Sequence, residues 1–134
     1  MLETGDIRVE YNHDSMPYPG QEPPDFFKGQ PIFRGRYDDM TRLNVGGTYQ
    51  DIIRVKGERD MTMKFQEQDF TNTNIWHTLE TWKLHEGVAG FKLSFTVQNK
   101  HYAGIHHLRY IASNAKGAAH LMRNLQINQR TTGG

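Results

Sequence analysis

Residues 55–87 read VKGERDMTMKFQEQDFTNTNIWHTLETWKLHEG, and the reading of this stretch decides the fold. Met61, Met63 and Phe65 alternate with polar residues, the period of a half-buried strand over Met61–Gln66. Gly57-Glu58-Arg59-Asp60 serves as the hairpin turn before it, with Gly57 supplying any positive φ that the turn needs. A polar Asp/Thr/Asn run follows. Asn72 or Thr73 can then cap a helix, and Gly87 sits where a left-handed C-terminal residue is expected. Ile75, Leu79 and Trp82, spaced i, i+4, i+7, make one apolar stripe. The stretch therefore predicts a short helix over about 73–86, with Trp76 and Trp82 packed against a sheet rather than forming a ligand cage.

Working outward, Ile7, Val9 and Tyr11 alternate with charged residues and predict an opening strand. The segment 13–31 then holds all five prolines, Pro17, Pro19, Pro23, Pro24 and Pro31. Proline fixes φ and removes a backbone donor, so this is an extended loop outside any sheet interior. Its apolar residues Met16, Tyr18, Phe26 and Phe27 favour docking on a neighbour over a free linker, since free linkers seldom carry so many. Ile32–Tyr37 is a short candidate strand, and Asn44-Val45-Gly46-Gly47-Thr48 a turn. Tyr49–Lys56 follows, with Ile53 and Val55 on one face. Phe91, Leu93, Phe95 and Val97 form the cleanest strand of the chain. Asn99-Lys100 reads as a turn, and Leu108, Tyr110 and Ala112 alternate again. For residues 115–127 a hairpin through Ser113–Gly117 competes with a helical face of Ala115, Ala118, Ala119, Met122 and Leu125; Gly117 favours the hairpin. The sum is six to eight strands and one helix: a mainly β fold, an antiparallel barrel or sandwich with the helix packed on it.

Composition bounds the function. At 134 residues the chain has the size of a single domain. Its mean hydropathy of −0.76 is low for a chain that must build its own core, and oligomerisation is one way to make up the deficit. A net charge of +1 gives no general pull toward nucleic acid or membrane. The absence of cysteine excludes disulfides and thiolate metal sites. No segment reads as a signal peptide or a membrane span, so the expected setting is the cytoplasm or a particle assembled there.

The order of turn, strand and Trp-bearing helix resembles the middle of tail-tube proteins of contractile-tailed bacteriophages. In that family, which is related to the tubes of type VI secretion and other contractile injection systems, a Gly-Glu/Asp-Arg turn leads into a strand and a short helix with Trp. Here Gly57-Glu58-Arg59, Met61–Gln66 and Trp76/Trp82 carry the likeness, over about a quarter of the chain. The resemblance implies a virion structural protein, a homo-oligomer of stacked, hexameric rings. Its partners would be tail sheath and baseplate proteins, and DNA would pass through the lumen without sequence recognition. The candidate subunit-interface residues are Met16, Tyr18, Phe26, Phe27, Arg34 and Arg36. The Pro-rich loop and the His-rich C-terminal hairpin have no counterpart in the family pattern, which leaves a tube-end, terminator or baseplate-adaptor role open.

Two other classes compete. Arg34, Arg36 and Arg42 cluster around Phe33 and Tyr37, with Arg109 and Arg123 near the C-terminus, and basic residues interleaved with aromatics can form a single-strand platform. Asp38, Asp39, Glu58 and Asp60 dilute that charge, which favours solvated or intersubunit salt bridges over a small ligand- or nucleic-acid-binding barrel. An enzyme would have to use histidine. His106 and His107 point to opposite faces of a strand, and His101 lies roughly 20 Å from His107 along it. His77 and His85 fall two turns apart on the expected helix. No H-E-x-x-H, G-x-S-x-G, P-loop or dinucleotide fingerprint occurs, so no catalytic, cofactor or metal residues are expected.

Overall fold

The structure, a computed structural model, describes residues 7–11, 29–34, 39–85, 88–98 and 103–128. Among these are nine strands and no helix: β1 (Arg8–Tyr11), β2 (Ile32–Arg34), β3 (Asp39–Asn44), β4 (Thr48–Lys56), β5 (Met61–Gln68), β6 (Trp76–Leu84), β7 (Val88–Thr96), β8 (Gly104–Asn114) and β9 (Gly117–Asn128). They form two sheets, β1-β7-β4-β2 and β3-β9-β8-β5-β6. All pairings are antiparallel except β3 with β9, which run parallel. Among the described residues neither sheet closes on itself or on the other, so the architecture is a sandwich and not a closed barrel.

Alternation builds the core. Tyr49, Ile53 and Val55 of β4 and Phe91, Leu93 and Phe95 of β7 face Met61, Met63 and Phe65 of β5, Leu108, Tyr110 and Ala112 of β8 and Leu121, Leu125 and Ile127 of β9; all are buried. Aromatic rings join the sheets at the centre. Phe95 stacks on Tyr49 at 5.1 Å between centroids and meets Phe65 at 6.4 Å, while Phe65 lies 5.0 Å from Tyr110.

The helix expected over 73–86 is instead strand β6, antiparallel to β5. The misleading stripe has a physical cause. Register shifts between Phe65 and Gln66, so Phe65 pairs with Glu80 while Gln66 pairs with Thr78. This bulge gives Leu79 no direct partner and changes the phase of the strand. The apolar residues then fall at Leu79, Trp82 and Leu84, a spacing that imitates one helical face. The β-branched and aromatic content of Trp76, Thr78, Thr81 and Trp82 already favoured a strand. Asn72, assigned to a helix cap, instead closes a turn through Ile75 N–H and its own carbonyl.

The hairpin expected at 57–60 does not form: β4 and β5 belong to different sheets, so this segment crosses from one sheet to the other, and its positive φ belongs to Asp60 (66°) and not to Gly57. Gly57 is required for space: a Cβ there would lie 2.6 Å from Met61 Sδ and 3.1 Å from Pro31 Cα. The Gly46 turn (φ 93°) and the C-terminal hairpin form as read; β9 removes the helical alternative for 115–127. Strand β3 falls in a segment that the sequence assigned to no strand, and it forms because β9 offers it a parallel edge. Of the Pro-rich loop 13–31, only residues 29–31 lie among the described residues.

Candidate binding face and cleft

The loop joining β5 to β6, residues 69–75, is a hydrogen-bonded unit. Asp69 Oδ2 accepts from Thr71 N–H (3.0 Å), Thr71 Oγ1 (2.7 Å) and Asn72 N–H (2.9 Å), while its Oδ1 faces His77 Nε2 at 2.7 Å. The bond to His77, then those from Thr71 and Asn72, hold the Asp69 carboxyl well below the usual range. Gln68 Nε2 donates to Thr73 carbonyl (2.9 Å), and Asp69 N–H donates to Ile75 carbonyl (2.9 Å). Between this loop and β8 lies a cleft of about 220 Å³ lined by Gln68, Asp69, Phe70, Thr73, Ile105 and His107. Phe70 and Ile105 are half exposed there, and Ile75 is exposed on the same loop.

Beneath the cleft a polar pair is sealed into the sandwich. His106 Nδ1 lies 2.6 Å from Glu67 Oε2, both side chains have no exposed surface, and the Phe70 ring meets the imidazole edge-on at 5.2 Å. A carboxylate can only accept, so the ring nitrogen donates. Such a dyad is out of reach of any substrate. The accessible Asp69–His77 pair has its remaining bonds committed to the turn, with no serine or cysteine in its bonding network. Among the described residues no group of three or more His, Asp or Glu could hold a metal ion.

The outward face of the five-stranded sheet carries a second arrangement. Arg109, Gln66 and Thr78 stand side by side in register on β8, β5 and β6. Arg109 Nε donates to Gln66 Oε1 (2.8 Å), and Gln66 Nε2 donates to Thr78 Oγ1 (2.9 Å). The guanidinium lies 4.0 Å from the Trp76 ring centroid, a cation–π stack. Partial burial lowers the Arg109 pKa, with no carboxylate offsetting it. Elsewhere on this face His107 Nδ1 bonds Asn124 Oδ1 (2.7 Å) and Arg42 Nε donates to Gln126 Oε1 (3.2 Å).

A third polar cluster ties the sheets together. Arg123 Nε of β9 donates to Asp51 Oδ2 of β4 at 2.9 Å, and Tyr49 OH donates to the same oxygen at 3.2 Å. The buried Tyr110 hydroxyl has no bond of good geometry. Burial first, then the Asp51 charge, raises the Tyr49 pKa, and burial and Tyr49 raise that of Tyr110, so both phenols stay neutral.

Of the candidate interface residues, Met16, Tyr18, Phe26, Phe27 and Arg36 lie outside the described residues, and Arg34 is placed only as the last position of β2. Arg34 is not among the residues that line the cleft. His106 and His107 do point to opposite faces, inward and outward. His77 and His85 lie at and just beyond the ends of a strand, not on one helix, and Arg123 turns inward instead of joining a basic surface. Sequence reasoning missed Glu67, Asp69, Phe70 and Trp76 as site residues. The available signal was Glu67 at an inward position of β5, in phase with Met61, Met63 and Phe65, because a buried acid demands a partner.

No protein-family model matches the chain, and no curated protein matches its sequence. Solved structures do. A chain of the complex between titin and the obscurin-like 1 Ig domain is 20% identical, covering 76% of this chain and 97% of that one with a TM-score of 0.51. A chimeric titin functionalised with a peptide from decorin is 18% identical, covering 75% and 95%, with a TM-score of 0.50. The fold is therefore an Ig-like β-sandwich. In the usual labelling β2, β4 and β7 take the places of A, B and E, β5, β8 and β9 those of C, F and G. Strand β1 occupies the place of D beside E, so the N-terminal end closes a sheet that an internal strand ordinarily completes. The chain has no cysteine and no Trp on the C strand; the Tyr49–Phe95–Phe65–Tyr110 stack fills the centre instead.

Proposed function

We propose that the chain is a non-catalytic structural subunit that acts by joining neighbours along its sheet edges. The observation that carries this is β6: nine residues long and last in its sheet, it pairs with β5 on one side only among the described residues. An open strand of this length is a template for pairing unless guarded. The bulge at Phe65/Gln66 and the exposed Lys83 are guards against indiscriminate pairing, and they leave the edge for a partner of matching charge. The narrower proposal is the tail-tube subunit of the sequence resemblance: stacked rings closed edge to edge, bound to tail sheath and baseplate proteins, with DNA in the lumen. The helix that helped carry that resemblance is a strand, so this reading rests on the open edges and the Gly57–Asp60 segment. Light scattering and negative-stain microscopy test the assembly. Rings or larger oligomers are expected from the purified protein, and Lys83→Glu should dissociate them without lowering the thermal midpoint. A wild-type monomer at high concentration, or Lys83→Glu assemblies indistinguishable from wild type, would overturn the reading.

A further inference from the structure

We propose that the outward face of the β3-β9-β8-β5-β6 sheet binds a single strand of nucleic acid, with Arg109 and Lys64 on its phosphates and Phe70 at the cleft taking a base. The inference is independent of edge assembly.

Register defines the face. Its described positions run across the sheet in rows: Arg42, Gln126 and Ile105; Met40, Asn124, His107, Gln68 and Trp76; Met122, Arg109, Gln66 and Thr78. Further along come His120, Ile111, Lys64 and Thr81, then Ala118, Ser113, Thr62 and Lys83. Four cations and two imidazoles stand on these rows, and no Asp or Glu does. Other described acids fall off these rows: Asp51 and Glu67 are inside the sandwich, Glu58 and Asp60 are in the segment before β5, Asp39 pairs with Arg123, and Glu80 pairs with Phe65 at the bulge of β6. Among the described residues these rows carry charge of one sign. Charge complementarity selects an anionic occupant.

Arg109 is the prepared residue. Gln66 fixes its Nε and Trp76 supports its plane, while its remaining donors meet no carboxylate among the described residues. A half-buried guanidinium held in this way has already lost much of its rotamer freedom, so an oxyanion can complete its bonding at low entropic cost. Lys64 lies one row away, exposed, and roughly 20 Å of strand separates it from Phe70. Cations spread over that distance suit a repeating anion better than a single carboxylate. The half-exposed ring of Phe70, set on the His106 edge beside a cleft of about 220 Å³, offers a stacking surface for one planar base. Asp69 lines the same cleft, but its oxygens are occupied by Thr71, Asn72 and His77.

Fluorescence anisotropy of a short labelled oligothymidylate, titrated with the full chain at low salt, tests this. Saturable binding is expected, weakening steeply as salt rises. Arg109→Gln should lower affinity about tenfold, and Lys64→Gln, at an exposed position, should lower it and flatten the salt dependence by about one contact. Phe70→Ala should weaken binding without changing the salt slope. Absence of saturable binding, equal affinity of Arg109→Gln and Lys64→Gln to wild type, or equally tight binding of polyglutamate would each overturn the proposal, the last by assigning the face to an acidic protein.

Discussion

Asp51–Arg123 and Glu67–His106 both bury a carboxylate against a basic group, yet they occupy different places in the sandwich. The first crosses from β4 to β9 and clips the two sheets together, with its side chains 14% and 7% exposed. The second joins β5 to β8 within one sheet and is fully enclosed. Arginine is always charged, so the first pair is permanent. The imidazole meets its acid through one ring nitrogen, so the second is a single short hydrogen bond within the sheet. The core alone would have accepted apolar residues at all four positions. Their roles differ accordingly. Asp51–Arg123 sets how the sheets face each other, while Glu67–His106 seats Phe70 and the floor of the cleft.

The largest effect expected follows from breaking the cross-sheet pair. Arg123→Ala leaves the Asp51 carboxylate buried without its cation, and chemical denaturation should show a loss of about 3–5 kcal/mol. Replacing both residues by apolar ones of similar size, Asp51→Leu with Arg123→Met, should recover most of that loss. A single variant within about 1 kcal/mol of wild type would show that solvent already reaches Asp51 and would erase the contrast between the two pairs.

Glu67→Gln should cost less, about 1–3 kcal/mol, because the amide keeps a neutral hydrogen bond to His106 and sacrifices only its charge assistance. Its signature is location. Amide exchange should quicken in residues 69–75, above the altered pair, while β4 and β7 stay protected. Uniform loosening of both sheets would mean that Glu67–His106 also sets sheet packing.

Strands with strict alternation were legible in the chain: Met61–Phe65, Phe91–Val97 and Leu108–Ala112 each show a two-residue period because one face of each is in the core. The turn at Gly46 was legible for the same local reason. Strand β6 was not, because a bulge breaks the period and the rule that reads it then favours a helix. Strand β3 was hidden as well, since its reason for existing is β9, some eighty residues away. The site failed in the same manner. Asp69 and its turn are local and could have been read from Asp-Phe-Thr-Asn, whereas Glu67–His106 and Arg109–Trp76 join residues that only the sheet order brings together.

The smallest predicted effect concerns the partly exposed Asp69–His77 pair, and it separates a contact that solvent reaches from the two buried ones. The bonds from His77, Thr71 and Asn72 lower the Asp69 pKa in the folded chain. Its carboxylate therefore contributes to stability above the unfolded carboxyl pKa of about 3.9, and that contribution fades as pH falls through the lower folded value. Asp69→Asn retains an oxygen for the Thr71 and Asn72 donors but cannot titrate. Urea midpoints of the two proteins, measured from about pH 5 down to about pH 2, should converge as acid is added, because the other carboxylates are common to both and cancel in the difference. The gap at the upper end should be small, since solvent reaches both side chains and screens the pair. A constant gap across this range would mean that the Asp69 charge contributes nothing to the turn and that hydrogen bonding alone closes it.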